Sequence, residues 1–226
     1  MQTDSKRTKP YRGIGMEGWM ARWYTRTRGH DLADFRQQAQ AVAGRLPSGA
    51  RVLEVAPGPG FFAIELAKLS DCSVTGLDIS HTLVEIATAG AAAAGVRVDF
   101  RQGNASAMPF AAESFDSVYC SAAFKNFTQP LAALDEMHRV LRPGGEALIV
   151  DLRKDVSLAE IDRYVRSSGR TRFDAWMTRW AFRSFLVRRA YTVEQINRLA
   201  AESRFGGCQI TLGPIGFEAR LTKPRS

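Results

Sequence analysis

Cysteine and long apolar runs are scarce in this chain, and each scarcity removes a class of protein. The three cysteines, Cys72, Cys120 and Cys208, are far apart and in no metal-like spacing. An odd, scattered set argues against a disulfide framework or a zinc site and fits a reducing compartment, with each thiol a small core hydrophobe. The apolar stretches around residues 87–95 and 147–150 fall far short of the ~20 residues a membrane span needs. The polar, basic opening MQTDSKRTKP has no apolar run behind it, so no secretory signal is expected. The chain reads as soluble and cytoplasmic. Internal repeats are absent, and the Ala91–Ala94 run is simply good helix material.

What is present suits one domain, or one domain with a modest insertion: 226 residues, 45% of them hydrophobic and 10% aromatic. The net charge of +8 is unevenly placed, at +5 over residues 1–30, −4 over 31–150, +5 over 151–190 and +2 over 191–226. An anionic membrane or nucleic acid would be met at the basic segments; a solvated basic surface explains them equally well.

Residues 1–30 are predicted to form an ordered arm or short helix after a loose first ten. Apolar residues at Leu32, Phe35, Ala39, Val42, Ala43 and Leu46 recur at helical spacing until Pro47-Ser48-Gly49. Strands and helices then alternate: strands over 51–56, 73–77, 96–101, 114–121 and 146–151, helices over 61–69, 80–94 and 130–141. Ser80 is placed to cap the second helix, and Pro130 starts the third. Strands separated by helices imply right-handed crossovers and a mainly parallel sheet. After Asp151 the rhythm breaks. Ser157 with Glu160 and Thr192 with Gln195 open helices, another is expected over 172–189, and runs at 208–212 and 217–222 form a hairpin.

The chemistry concentrates in Val52-Leu53-Glu54-Val55-Ala56-Pro57-Gly58-Pro59-Gly60. A buried strand enters a loop whose glycines let a ligand lie against the backbone, at the strand ends where open α/β sheets bind. Asp78, ending the next strand, is placed to accept hydrogen bonds from two ribose hydroxyls. Gly58-Pro59-Gly60-Phe61-Phe62-Ala63 also fits the dinucleotide fingerprint, so the loop alone does not choose between cofactors. None of Tyr11, Tyr24, Tyr119, Tyr164 and Tyr191 has a Lys four residues on, as a short-chain dehydrogenase would require. Phe61 and Phe62 favour an apolar cofactor face over a bare pyrophosphate cradle.

Four segments in order settle the comparison: VLEVAPGPGFFAIELA, VTGLDIS, GNASAMPFAAESFDSVYC and FKNFTQPLAALDEMHRVLRPGGEALIV. Together they resemble the motifs of class I S-adenosylmethionine-dependent methyltransferases, and are most similar to the ubiquinone/menaquinone C-methyltransferase-like (type 11) group. The resemblance spans roughly residues 50–151. It implies a Rossmann-like, mostly parallel seven-stranded α/β sheet with helices on both faces and an antiparallel C-terminal hairpin. Residues 1–30 would cover the cofactor, and 31–226 would form one domain with a helical lid at about 153–190. S-adenosylmethionine would lie against Glu54, Ala56, Pro57, Gly58 and Gly60, with Asp78 on its ribose. Ile79 and Leu83 would flank the adenine, Asn104, Ala105 and Met108 would border it, and Ser121 would face the sulfonium. Tyr24 would donate to the methionine carboxylate. Pro57 and Pro59 stand where the family commonly has Cys and Thr, and Asn104 replaces the usual acid, weakening one bond to the adenine amino group.

On the acceptor side, Phe124, Lys125 and Asn126 follow strand four, and Lys125-Asn126 matches a basic-Asn pair of the quinone-methylating group. Trp176 and Trp180 lie on one face of the expected 172–189 helix, which would cap an apolar or aromatic acceptor or rest its arginines on anionic lipid. A packed core helix explains the same pattern. The catalytic base is unassigned: His30, His81 and His138 qualify by type alone. A small-molecule, lipid-like or quinone-type acceptor is expected. RNA methylation is the alternative, weakened by the missing D/N-P-P-Y/F loop and Pro-Cys pair; a non-catalytic cofactor-binding subunit is the other.

Overall fold

The computed structural model describes residues 16–167 and 187–225. Helix α1, Gly18–Arg28, leads through a short 3-10 turn into α2, Leu32–Ala43. The alternation follows as β1 Arg51–Val55, α3 Phe61–Leu69, β2 Ser73–Asp78, α4 His81–Ala93, β3 Asp99–Gln102 and β4 Phe115–Ser121. Then come α5 Pro130–Val140, β5 Leu141–Leu152, α6 Leu158–Ser167, a helical turn at Val187–Arg189, α7 Val193–Glu202, β6 Gln209–Leu212 and β7 Gly216–Thr222. The seven strands form one sheet in the order β3-β2-β1-β4-β5-β7-β6. β1 to β5 pair in parallel, whereas β7 runs antiparallel to β5 and β6. The expected sheet and closing hairpin are therefore present, and the chain order reverses between β1 and β4.

Two-residue alternation along the strands feeds both faces of the sheet. Leu53, Val118, Cys120 and Ile149 pack with Leu134, Met137 and Ile196 of α5 and α7. Val52, Tyr119 and Leu148 pack with Ala39, Val42, Phe62 and Leu66 of α2 and α3. Tyr119 stacks on Phe62 at 4.0 Å between ring centroids and donates its hydroxyl to Gln38 at 2.9 Å. The boxes at Ser157/Glu160 and Thr192/Gln195 are closed in both directions.

Two boundaries differ from the sequence reading. The third strand starts at Asp99 rather than Val96, because Gly95 is left-handed (φ +69°) and the Val96 N–H returns to the Ala91 carbonyl, a Schellman end to α4. The fifth strand begins at Leu141 and absorbs the expected turn Arg142-Pro143-Gly144-Gly145 as a bulge, the register jumping from Phe115↔Leu141 to Ser117↔Glu146. The larger part of the expected 172–189 helix, with Trp176 and Trp180, lies outside the described residues; Val187–Arg189 within it is helical.

Candidate functional site

A sheet whose order reverses opens a crevice beyond the carboxyl ends of the strands flanking the reversal. Here β1 and β4 flank it, and both end in a left-handed alanine, Ala56 at φ +57° and Ala122 at φ +56°. The Ala56 N–H donates to Leu77 of β2 at 2.8 Å, and the Ala122 N–H to Val150 of β5 at 2.7 Å. The two chains thus bend toward opposite neighbours and leave the space between them open. The resulting cavity, about 1330 Å³, exceeds the roughly 300–1,000 Å³ of a typical small-molecule site, leaving room for two ligands side by side.

The β1 side of the cavity carries two acids. Asp78 accepts the Gly58 N–H on one oxygen and the Ser80 N–H on the other, both at 2.9 Å, tying the glycine loop to the end of β2. Burial pushes its pKa up to about 6 against the pull of these donors. Glu54 is only 4% exposed, and its Oε2 has no hydrogen-bond partner. Burial, opposed by the Ala63 N–H and reinforced by the Asp78 charge, raises its pKa to about 8. A buried oxygen without a donor is costly unless a ligand supplies one.

On the β4 side the buried acid is satisfied. Asp151 accepts the Lys125 ammonium at 2.7 Å, the Lys125 N–H at 3.0 Å and the Leu152 N–H at 2.7 Å. The same ammonium donates to the Ala122 carbonyl, so Lys125 pins the left-handed residue that ends β4.

Of the residues singled out from the sequence, Glu54, Ala56, Pro57 and Gly58 line the cavity after β1, and Asp78, Ile79 and Leu83 after β2. Asn104, Ala105, Ser121, Lys125, Asn126 and, from α1, Tyr24 also border it. Gly60, Met108 and Phe124 stand behind the wall. A Cβ on Gly60 would meet Phe100 Cζ at 2.6 Å and Ala87 Cβ at 2.9 Å, so its bareness serves helix–sheet packing. Met108 holds its loop through the backbone, donating to Glu136 at 2.6 Å while its carbonyl accepts from Arg139 at 3.0 Å. Phe124 is buried against Phe127 and Tyr191. Trp176 and Trp180 lie outside the described residues. Asn104 spends its side-chain oxygen on the Ser106 N–H at 2.9 Å.

Sequence reasoning missed how the arm is fastened. The Glu17 carboxylate accepts the His81 and Thr82 N–H groups at 3.0 Å and the Thr82 hydroxyl at 2.6 Å, while Ser80 Oγ donates to the Met16 carbonyl. An acid thus sits on the positive end of α4, its favourable place. Asp31, the N-cap of α2, with Asp34, Phe35 and Gln38 on the same face of that helix, and the hairpin residues 211–218 also line the cavity. The i, i+3, i+4, i+7 spacing of that α2 face was the available signal.

The fold is the Rossmann-like one seen in S-adenosylmethionine-dependent methyltransferases. Residues 53–149 match the family model described as a methyltransferase domain. Demethylmenaquinone methyltransferase of Deinococcus radiodurans is 35% identical over 116 residues, covering 51% of this chain and 48% of its own. Ubiquinone/menaquinone biosynthesis C-methyltransferase UbiE of Geotalea daltonii is 37% identical over 109 residues, 46% of each chain. The chain spans about half the length of these curated relatives. A solved structure described as an S-adenosylmethionine-dependent methyltransferase from Methanococcus maripaludis superposes with a TM-score of 0.74 at 20% identity, covering 97% of this chain and 99% of that one. That likeness is one of fold. S-adenosylmethionine is the cofactor that family and fold imply.

Proposed function

We propose that this chain transfers the methyl group of S-adenosylmethionine to a small, lipid-like acceptor of aromatic or quinone type. The observation that carries it is the unpartnered Glu54 oxygen beside Asp78 in a cavity with space for two ligands. The residues fit the cofactor: a cationic ammonium supplies Glu54 the donor it lacks, and each Asp78 oxygen keeps a lone pair for a ribose hydroxyl. Gly58 would admit the ligand against the backbone, Ile79 and Leu83 would flank the adenine, and Asn104 and Ala105 would border it. Tyr24 would donate to the methionine carboxylate from α1. The cofactor supplies an activated methyl group.

The chain's own residues then align and desolvate. Ser121 and Ala122, the latter pinned by Lys125, would form the floor beneath the acceptor, and α1 and α2 would exclude water. Asn126 is the polar contact for the acceptor, whereas the Lys125 ammonium is held by Asp151 and the Ala122 carbonyl. The named activities of the quinone-methylating relatives support the acceptor class. Three free cysteines suit a cytoplasmic setting.

Calorimetric titration with S-adenosylmethionine, S-adenosylhomocysteine and NADH tests the reading. Saturable binding of the first two alone is expected, weakened about a hundredfold or more in Asp78→Ala, which removes two charged hydrogen bonds. Transfer of labelled methyl to quinones and phenols should follow. Binding of NADH alone rejects the reading; cofactor binding without turnover on any acceptor leaves a non-catalytic subunit, and turnover on RNA alone makes that polymer the substrate.

A further inference from the structure

We infer that the outward face of α1 docks on an anionic lipid surface and presents the mouth of the cavity to an acceptor held there. Its purpose rests on the lipid-like acceptor proposed above, but the docking face itself is read from α1. The sequence of α1, GWMARWYTRTR, contains no acid. Its inner face is occupied: Ala21 is fully buried, Tyr24 lies against Gly58, and Arg28 pairs with Asp31 at 2.7 Å. The opposite face is Trp19, Arg22, Trp23 and Arg26, at the i, i+3, i+4, i+7 spacing that aligns side chains along one side of a helix.

Trp19 is 73% exposed and Trp23 57%. Neither Arg22 nor Arg26 has an acidic partner among the described residues. Two bare indoles are expensive in water, yet at a headgroup boundary an indole buries its ring and keeps its N–H wet. Guanidinium groups between them are placed for lipid phosphates. Two cations alternating with two indoles suit a boundary with apolar depth; a nucleic-acid backbone calls for a denser run of cations. The face is continuous with the site, because Trp23 and its neighbour Met20 also line the cavity. Ile79 and Leu212, both exposed, line the same cavity. The Glu17 clasp on α4 fixes α1 in this pose.

The test is co-sedimentation of the full chain with vesicles of phosphatidylcholine alone and of phosphatidylcholine mixed with phosphatidylglycerol. The expected result is partitioning onto the mixed vesicles, falling about thirtyfold or more in a Trp19→Ser/Arg22→Glu/Arg26→Glu variant. None of these three residues lines the cavity, so S-adenosylmethionine affinity in solution should not change, which also reports an intact fold. Absence of partitioning, or partitioning undiminished in the variant, overturns the inference. So does RNA binding that the variant loses while vesicles are ignored. If cofactor titration succeeds and vesicle binding fails, the docking is wrong and the methyl-transfer reading stands; the reverse outcome rejects methyl transfer and keeps the docking.

Discussion

Two buried carboxylates mark the two sides of the switch point, and they differ in what surrounds them. Asp151, at the end of β5, has three protein donors including the Lys125 ammonium. Glu54, on β1, keeps an oxygen with none. A buried charge is tolerated when paired, and otherwise its pKa moves until the group is neutral. That is the state of Glu54, with a pKa near 8. The satisfied acid is therefore spent on structure, and the unsatisfied one is the group the proposed function assigns to a cationic ligand. In the proposed function the same distinction would separate a rigid floor under the acceptor from a receptive wall for the cofactor.

The largest effect should come from breaking the satisfied side. Asp151→Asn leaves Lys125, 4% exposed, as a buried cation without its counter-charge, at a cost of about 3–5 kcal/mol. Urea denaturation measures it. A Lys125→Met/Asp151→Leu double variant should recover part of that loss, since no charge remains, although the backbone N–H groups of Lys125 and Leu152 still lack an acceptor. Equal stability of wild type and Asp151→Asn would erase the distinction between the two acids.

Glu54→Gln probes the receptive side with a smaller expected effect, about tenfold or more in S-adenosylmethionine affinity. Its pH signature has a definite sign. The folded state holds a proton on Glu54 up to about pH 8, whereas the unfolded chain releases it near 4.5. Glu54 thus favours the folded state at low pH, and this contribution is lost as the pH rises through about 4.5 to 8. The ligand-free variant should gain thermal stability relative to wild type across that window. A cationic ligand draws Glu54 into its charged form, so wild type should release a proton on binding near pH 7 and the variant should release less. Calorimetry in buffers of different ionisation enthalpy reads this directly. Identical proton release in both proteins would remove Glu54 from the ammonium site.

The two sides were also unequally legible in the sequence. Glu54, Gly58 and Asp78 lie in contiguous strand–turn–helix motifs, where local spacing dictates geometry, so the residues that line the cavity at the ends of β1 and β2 are legible from the sequence alone. Gly60 belongs to the same motif, but its task, admitting Phe100 and Ala87, depends on a strand forty residues away. The Lys125–Asp151 pair has no local signature at all. It exists because β4 and β5 are adjacent with Ser121 opposite Val150, a register that a bulge sets and periodicity does not reveal. The arm was placed over the cofactor by resemblance, while its clasp by Glu17 joins residues 64 and 65 apart. Alternation supplied the sheet, and the ends of elements, where backbone groups choose between helix and strand partners, moved by up to five residues.

The smallest expected effect tests where the arm meets the receptive wall. A Cβ on Gly58 would lie 3.5 Å from Tyr24 Cε1, so the ring sits directly over the glycine loop. Burial raises the Tyr24 pKa, with Arg28 beside the hydroxyl opposing the shift, so the phenol is a neutral donor near pH 7. One neutral donor to a carboxylate contributes about 1 kcal/mol. Tyr24→Phe should therefore weaken S-adenosylmethionine binding about fivefold while leaving the ring packing and thermal stability in place. A contact to the carboxylate predicts that an analogue lacking that group binds wild type and Tyr24→Phe equally well. Unchanged affinity for S-adenosylmethionine itself would reduce Tyr24 to a packing residue and pass the carboxylate to Arg28, the cation that lines the same stretch of wall. In that outcome the receptive side would hold an acid for the ligand's cation and a cation for its acid, both supplied by charged side chains.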